Sequence, residues 1–209
     1  GSIQPYKRTL LKVSDDVGRS WSAARVVMDV NSSSLNQCLQ PNSTGNPQAI
    51  YSSGVVILMA APGICEGFVA LSSDEGETFI LQNITAAVKS PDAKHDWLWS
   101  PTAGRMLALP TGEVIACATE EDPPLAQAGG AQYAVSIRAA PPFRQWERQG
   151  RVRVPVAGGE CQIARGGLDG NELVMFLRST GSNASVERRN MTSSFLRSTG
   201  SNASVARGG

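Results

Sequence analysis

The stretch Ser72-Ser73-Asp74-Glu75-Gly76-Glu77-Thr78-Phe79 has an earlier counterpart in Ser14-Asp15-Asp16-Val17-Gly18-Arg19-Ser20-Trp21. Both read Ser-x-Asp-x-Gly-x-(Ser/Thr)-aromatic, and their first serines lie 58 residues apart. Two copies of so specific a pattern point to a repeated supersecondary unit. The turn glycines Gly54, Gly112 and Gly170 follow at the same interval of 58. Each sits between two short apolar runs: Gln48 to Tyr51 and Val55 to Ala60, Arg105 to Leu109 and Val114 to Thr119, Cys161 to Arg165 and Leu173 to Arg178. Glycine supplies the positive φ of such turns, and each second run is almost continuously apolar, as a strand buried on both faces should be. The repeat therefore predicts hairpin pairs, about four strands per unit, which is the size of a propeller blade rather than of a helical solenoid repeat.

A third turn motif is expected between residues 130 and 146. Tyr133 to Arg138 reads as its leading strand and Trp146 as its closing aromatic, but the Asp and Gly between them are gone. After Arg178 the order breaks. Phe176 to Val186 recurs identically as Phe195 to Val205, an offset that does not match the blade period. This reads as a recent tandem duplication or a sequence-assembly fault. The expected division is a propeller region over residues 1–190 and a poorly ordered tail over 191–209.

Composition sets broad limits. The chain has 209 residues and a net charge of +1, so no strong global field argues for nucleic acid or an anionic membrane surface. No apolar run is long enough to cross a bilayer. Helix-period amphipathic stretches are scarce, and Gly, Pro, Ser and Asn punctuate the apolar runs, so the expected class is all-β. Four widely spaced cysteines (Cys38, Cys65, Cys117, Cys161) make no metal-type pair and leave disulfides and buried thiols equally open. Asn-x-Ser/Thr sequons at Asn31, Asn42, Asn83, Asn183, Asn190 and Asn202 favour a secreted or lumenal setting over a cytoplasmic one.

The aspartate of the turn motif invites a calcium reading, but a helix-flanked calcium loop needs several more carboxylates at fixed positions. The expected role is structural. Ser14, Asp16, Gly18 and Trp21, with Ser72, Asp74, Gly76 and Phe79, shape the turn: side-chain oxygens take backbone N–H groups, glycine adopts the left-handed conformation, and the aromatic tucks into the blade. No metal or cofactor is expected.

This turn is the Asp-box, and the chain resembles the sialidase (neuraminidase) superfamily, a six-bladed β-propeller. Three further segments carry the resemblance: Asn46-Pro47-Gln48-Ala49-Ile50-Tyr51; Trp97 with Gly104 to Leu109 and Gly112-Glu113-Val114-Ile115; and Glu160-Cys161-Gln162-Ile163 with Asp169-Gly170 and Arg178-Ser179. It covers about residues 9 to 190 and implies that some three and a half blades are present. It also implies retaining hydrolysis of terminal α-linked sialic acids, with sialylated glycans as partners. In such a site a glutamate takes the proton of a tyrosine nucleophile, three arginines hold the substrate carboxylate, and an aspartate is the acid/base.

Glu160 matches the glutamate and Arg178 one of the arginines, while Asn46 and Trp97 are possible subsite residues. The resemblance would put the first arginine and the aspartate near or before the start of the chain, and the last arginine and the tyrosine in later blades. The fragment alone is therefore expected to be inactive. The rival readings are a non-catalytic Asp-box propeller binding glycan or protein, and a trans-sialidase. His95, the one histidine, reads as a loop residue.

Overall fold

The computed structural model describes residues 8–29, 47–61, 66–93, 98–102, 104–122, 131–154, 160–166, 172–178 and 196–199. They form an all-β structure of four antiparallel sheets, none of them closed. The first sheet pairs β1 (Arg8–Leu11) with β2 (Arg25–Asp29). The second is a four-stranded meander of β3 (Gln48–Ser52), β4 (Val55–Ala60), β5 (Phe68–Ser72) and β6 (Ile80–Asn83), followed by a single helical turn, α1 (Thr85–Val88). The third contains β7 (Leu98–Pro101), β8 (Leu107–Ala108), β9 (Val114–Glu121), β10 (Gln132–Ala139) and β11 (Trp146–Val154). The fourth contains β12 (Glu160–Gly166), β13 (Glu172–Arg178) and β14 (Leu196–Thr199). Among the described residues no helix is long and apolar enough to cross a membrane.

The apolar runs have a direct physical cause. In β4, Ile57 and Met59 join a buried cluster with Val114, Ala116, Ala118, Val135 and Ile137 of the third sheet. The alternate residue Ala60, with Leu58 packed alongside, joins Met28 of the first sheet. β9 repeats the arrangement: Val114, Ala116 and Ala118 face the second sheet, while Ile115 and Cys117 meet Cys161 and Ile163 of the fourth. Successive side chains of a strand point to opposite faces, so a strand lying between two sheets must be apolar at every position. The four sheets are thus stacked face to face in chain order.

All three expected hairpins are present. Ser53 and Gly54 form the two-residue turn between β3 and β4, with φ of 50° and 78°. Positive φ at both central positions matches the right-handed twist of the flanking strands. In the third sheet Gly112 takes φ 84°, and its N–H donates to Leu109 O at 2.9 Å. The strand expected over residues 105–109 is shorter than foreseen, because the partner of β9 comes in two pieces. β8 pairs with Val114 and Ile115, and β7 pairs with residues 118–121. Pro101 has no N–H to continue the ladder, and the chain leaves the sheet at Thr102. The β12–β13 hairpin has the expected strands, and residues 196–199 of the duplicated tail pair with β13 as β14.

Thr102 joins three sheets. The Gln48 side-chain amide donates to Thr102 O and to Cys117 O, each at 2.8 Å, and the Thr102 hydroxyl donates to Cys161 O at 2.5 Å. Because two carbonyls face the Gln48 amide, only its NH2 can point at them. Beside this contact a disulfide links Cys117 of β9 to Cys161 of β12, so for these two cysteines the disulfide alternative holds. Cys38 and Cys65 lie outside the described residues.

A second set of contacts recurs between neighbouring sheets away from Thr102. Arg25, after the first turn motif, donates to the carbonyls of Gly76 and Glu77 in the second motif. Gln82, after the second motif, donates to Arg144 O in the turn between β10 and β11. In both cases a side chain that follows one turn holds carbonyls of the next.

The disulfide joins cysteines 44 residues apart, and closing a loop of that length is worth about 4 kcal/mol in the chain-entropy account. The Cys117→Ala/Cys161→Ala double variant is expected to lose about 2–4 kcal/mol in urea unfolding. An unchanged midpoint would show that the link adds nothing to stability.

Candidate functional site

The two turn motifs have nearly the same geometry. In the first, the Ser14 hydroxyl donates to Asp16 at 2.8 Å and accepts the Gly18 N–H at 2.7 Å. Asp16 accepts the Ser20 N–H at 2.8 Å and the Ser20 hydroxyl at 2.7 Å. In the second, the Ser72 hydroxyl donates to Asp74 at 2.6 Å and accepts the Gly76 N–H at 2.7 Å, while Thr78 gives Asp74 both its N–H and its hydroxyl. Val17 and Gly18 take φ of 60° and 85°, Glu75 and Gly76 take 59° and 91°. Each carboxylate is thus engaged by its own turn. Among the described residues no group of three or more His, Cys, Asp or Glu is arranged to hold a metal.

The decayed third motif keeps one left-handed residue where the other two turns have a consecutive pair, and it contains a cis Pro141–Pro142 bond. Phe143 takes φ 64° where the other turns have glycine, its N–H donates to Ala140 O at 2.7 Å, and the Trp146 ring N–H donates to Phe143 O at 2.9 Å. Trp146 is buried and Phe79 packs against the Met28 cluster, but Trp21 is 59% exposed. The expectation that Trp21 tucks into a blade fails for a simple reason. Phe79 is covered by the first sheet, and among the described residues no sheet lies beyond the first to cover Trp21 in the same way.

The turn motifs and the first hairpin turns lie at one end of the stacked sheets: Ser52 and Ser53 hydroxyls reach Gly112 O there. The other end holds the start of each first strand and the end of each second strand. Here the register sets Glu160 directly opposite Arg178, the first residue of β12 across from the last of β13. Glu160 is half-buried, and one residue further on Cys161 is fixed by the disulfide and by Thr102. A carboxylate position and a guanidinium position therefore share one anchored hairpin end. Asn46, Trp97 and His95 lie outside the described residues.

Two carboxylates were not foreseen as special. Glu66, in the connection from β4 to β5, has an oxygen buried without a hydrogen-bond partner among the described residues, and burial pushes its carboxyl up. Glu120, at 1% exposure, accepts both Arg148 guanidinium nitrogens at 2.7 and 2.5 Å and Arg151 at 3.4 Å. Arg148 also donates to Val88 O at 3.0 Å, and the Arg151 guanidinium lies 4.4 Å from the Tyr133 ring centre. This cluster clamps α1 and the segment after it against the third sheet. Glu120 stands with Glu121 and Asp122 just past the apolar run Val114 to Thr119, where nothing local marks it as buried. Its arginines come from a strand 28 residues further on, a pairing no local pattern announces.

No family model matches this chain, and no curated protein matches it in sequence.

Removing one member of a buried ion pair strands the other. Glu120→Ala is expected to cost about 3–5 kcal/mol in chemical unfolding, with part of that recovered in Glu120→Leu/Arg148→Met, where neither charge remains. A loss below ~1 kcal/mol in the single variant would show that the cluster is solvated.

The turn aspartates give a pH signature. Hydrogen bonds from the Ser20 hydroxyl, the Ser20 N–H and the Ser14 hydroxyl lower Asp16 to about 2. The Ser72 hydroxyl, then the Thr78 hydroxyl and N–H, hold Asp74 well below the usual carboxylate range. Folded values below the unfolded value of ~3.9 mean that this stabilisation is complete above that pH and disappears as pH falls through about 2. Thermal midpoints recorded from neutral to strongly acidic pH are expected to converge at the acid end for wild type and Asp16→Asn/Asp74→Asn, with wild type higher above it. A gap independent of pH would refute the assignment.

Proposed function

We propose that this chain is part of a sialidase-type six-bladed β-propeller and carries part of an exo-α-sialidase site. The observation that carries the reading is the register of β12 and β13, which sets Glu160 against Arg178 at the end of the sheets opposite the turn motifs. The face-to-face stacking of four sheets in chain order and the recurring contacts of Arg25 and Gln82 with the next turn support the propeller.

In this reading Arg178 holds the carboxylate of a terminal sialic acid through a charge-assisted pair. Glu160 takes the proton of a tyrosine nucleophile, whose neutral oxygen approaches an anomeric centre that a carboxylate nucleophile would be repelled from. Neither described tyrosine fills that role: Tyr51 lies in β3 at the turn end, and Tyr133 is engaged by Arg151. The test of this chain is therefore binding.

Saturation-transfer NMR with a 2,3-unsaturated sialic acid analogue is expected to show binding to the wild-type chain. Arg178→Ala should weaken it by roughly tenfold or more, the loss of one charge-assisted bond. Glu160→Gln, which keeps the shape and removes the base, should bind about as well as wild type. Binding that ignores Arg178, or equal binding of a neutral galactoside, would favour the non-catalytic glycan-binding propeller instead.

A further inference from the structure

Asn83-Ile84-Thr85 is a sequon within the described residues, and it lies at a junction that leaves its amide available. Asn83 closes β6, the outer edge strand of the second sheet, and its side chain is exposed. Its Oδ1 accepts the N–H of Thr85 at 2.9 Å, an Asx turn that carries the chain from strand into α1. With Oδ1 held by that bond, no hydrogen bond from Nδ2 is recorded among the described residues. Thr85 uses its hydroxyl to accept the Gly67 N–H at 3.0 Å, so the sequon hydroxyl is also fixed.

A second, independent observation concerns the compartment. The Cys117–Cys161 disulfide is buried between the third and fourth sheets. Disulfides of this kind form and persist in oxidising compartments such as the endoplasmic reticulum and the cell exterior, which is where N-linked glycans are attached or found. The other five sequons lie outside the described residues.

We propose that Asn83 is an N-glycosylation site and that the chain matures in an oxidising, lumenal compartment. This does not depend on the sialidase reading. The donor class is a lipid-pyrophosphate-linked oligosaccharide. A bond forms between Nδ2 of Asn83 and the anomeric carbon of the first sugar, while the bond from that carbon to the pyrophosphate oxygen breaks. The pyrophosphate leaves with the electron pair and the amide gives up one proton.

The attached glycan would stand on an edge strand whose Ile80 and Leu81 are exposed. A bulky hydrophilic group there would keep that edge from pairing with another chain, a liability that exposed edges otherwise carry.

The test is secretory expression of the full chain in animal cells, digestion with trypsin and a Glu-specific protease, and treatment with peptide N-glycosidase in heavy-oxygen water. These proteases isolate Asn83 on the peptide Thr78 to Lys89, free of every other sequon. The expected result is heavy-oxygen incorporation at residue 83 in most of that peptide, absent in Asn83→Gln and retained in Thr85→Ser, which keeps the sequon hydroxyl. Recovery of the wild-type peptide largely unmodified overturns the proposal. If the chain is retained in the cell, the same readout on the membrane-enclosed pool decides it, because transfer accompanies translocation.

Discussion

Three sheets meet at Thr102, and the packing of the described core depends on that meeting. Its N–H, carbonyl and hydroxyl reach the second, third and fourth sheets within one buried spot, and the Cys117–Cys161 bond locks the same place covalently. Most buried polar groups are paired, and here the Gln48 NH2 and the Thr102 hydroxyl are, although the Gln48 Oε1 has no partner among the described residues. The apolar clusters on either side of β4 and β9 supply non-directional attraction, whereas this polar contact fixes which strand lies where. The break between β7 and β8 is what frees the Thr102 carbonyl for the role: its N–H still bonds Cys117 O of β9, and had the ladder continued the carbonyl would have been consumed there as well.

Charge is treated in two ways in this fold. The aspartates of the turn motifs, Asp74 exposed and Asp16 half-buried, are held by short hydrogen bonds from their own loops, so they are local devices that need no partner elsewhere. Glu120 is the opposite case, a buried carboxylate neutralised by arginines from another strand of its own sheet, one of which also holds the carbonyl at the end of α1. At the candidate site the backbone register sets Glu160, which is half-buried, opposite Arg178 at a hairpin end.

What the sequence made legible follows the range of the interactions. The turns at Gly54, Gly76 and Gly112 were readable because positive φ and Ser/Asp side-chain bonding are decided within a few residues. The alternation of strands was readable from unbroken apolar runs, since two-sided burial leaves no polar position. The two strands carrying Glu160 and Arg178 were readable as apolar runs around a glycine turn, but the register that sets these residues opposite each other came from the structure. Trp21 was misjudged because an aromatic is covered only if another sheet arrives, which its own octapeptide cannot say. Glu120 and Thr102 were missed because their partners come from strands far along the chain. The third turn lost its marker residues but kept Phe143, the left-handed residue three positions before its aromatic, and the Phe143 carbonyl accepts the Trp146 ring N–H.

The recurring hydrogen bonds from Arg25 and Gln82 to the following turn make each sheet interact chiefly with its immediate neighbours, as links in a chain do. In such an array stability is a sum of unit terms and nearest-neighbour couplings. A central unit has two couplings and a terminal one has only one. Among the described residues the first and fourth sheets each have one neighbour and the second and third have two. By position alone, opening should spread inward from the two outer sheets, so the second and third set the slowest exchange of backbone amides among the described residues.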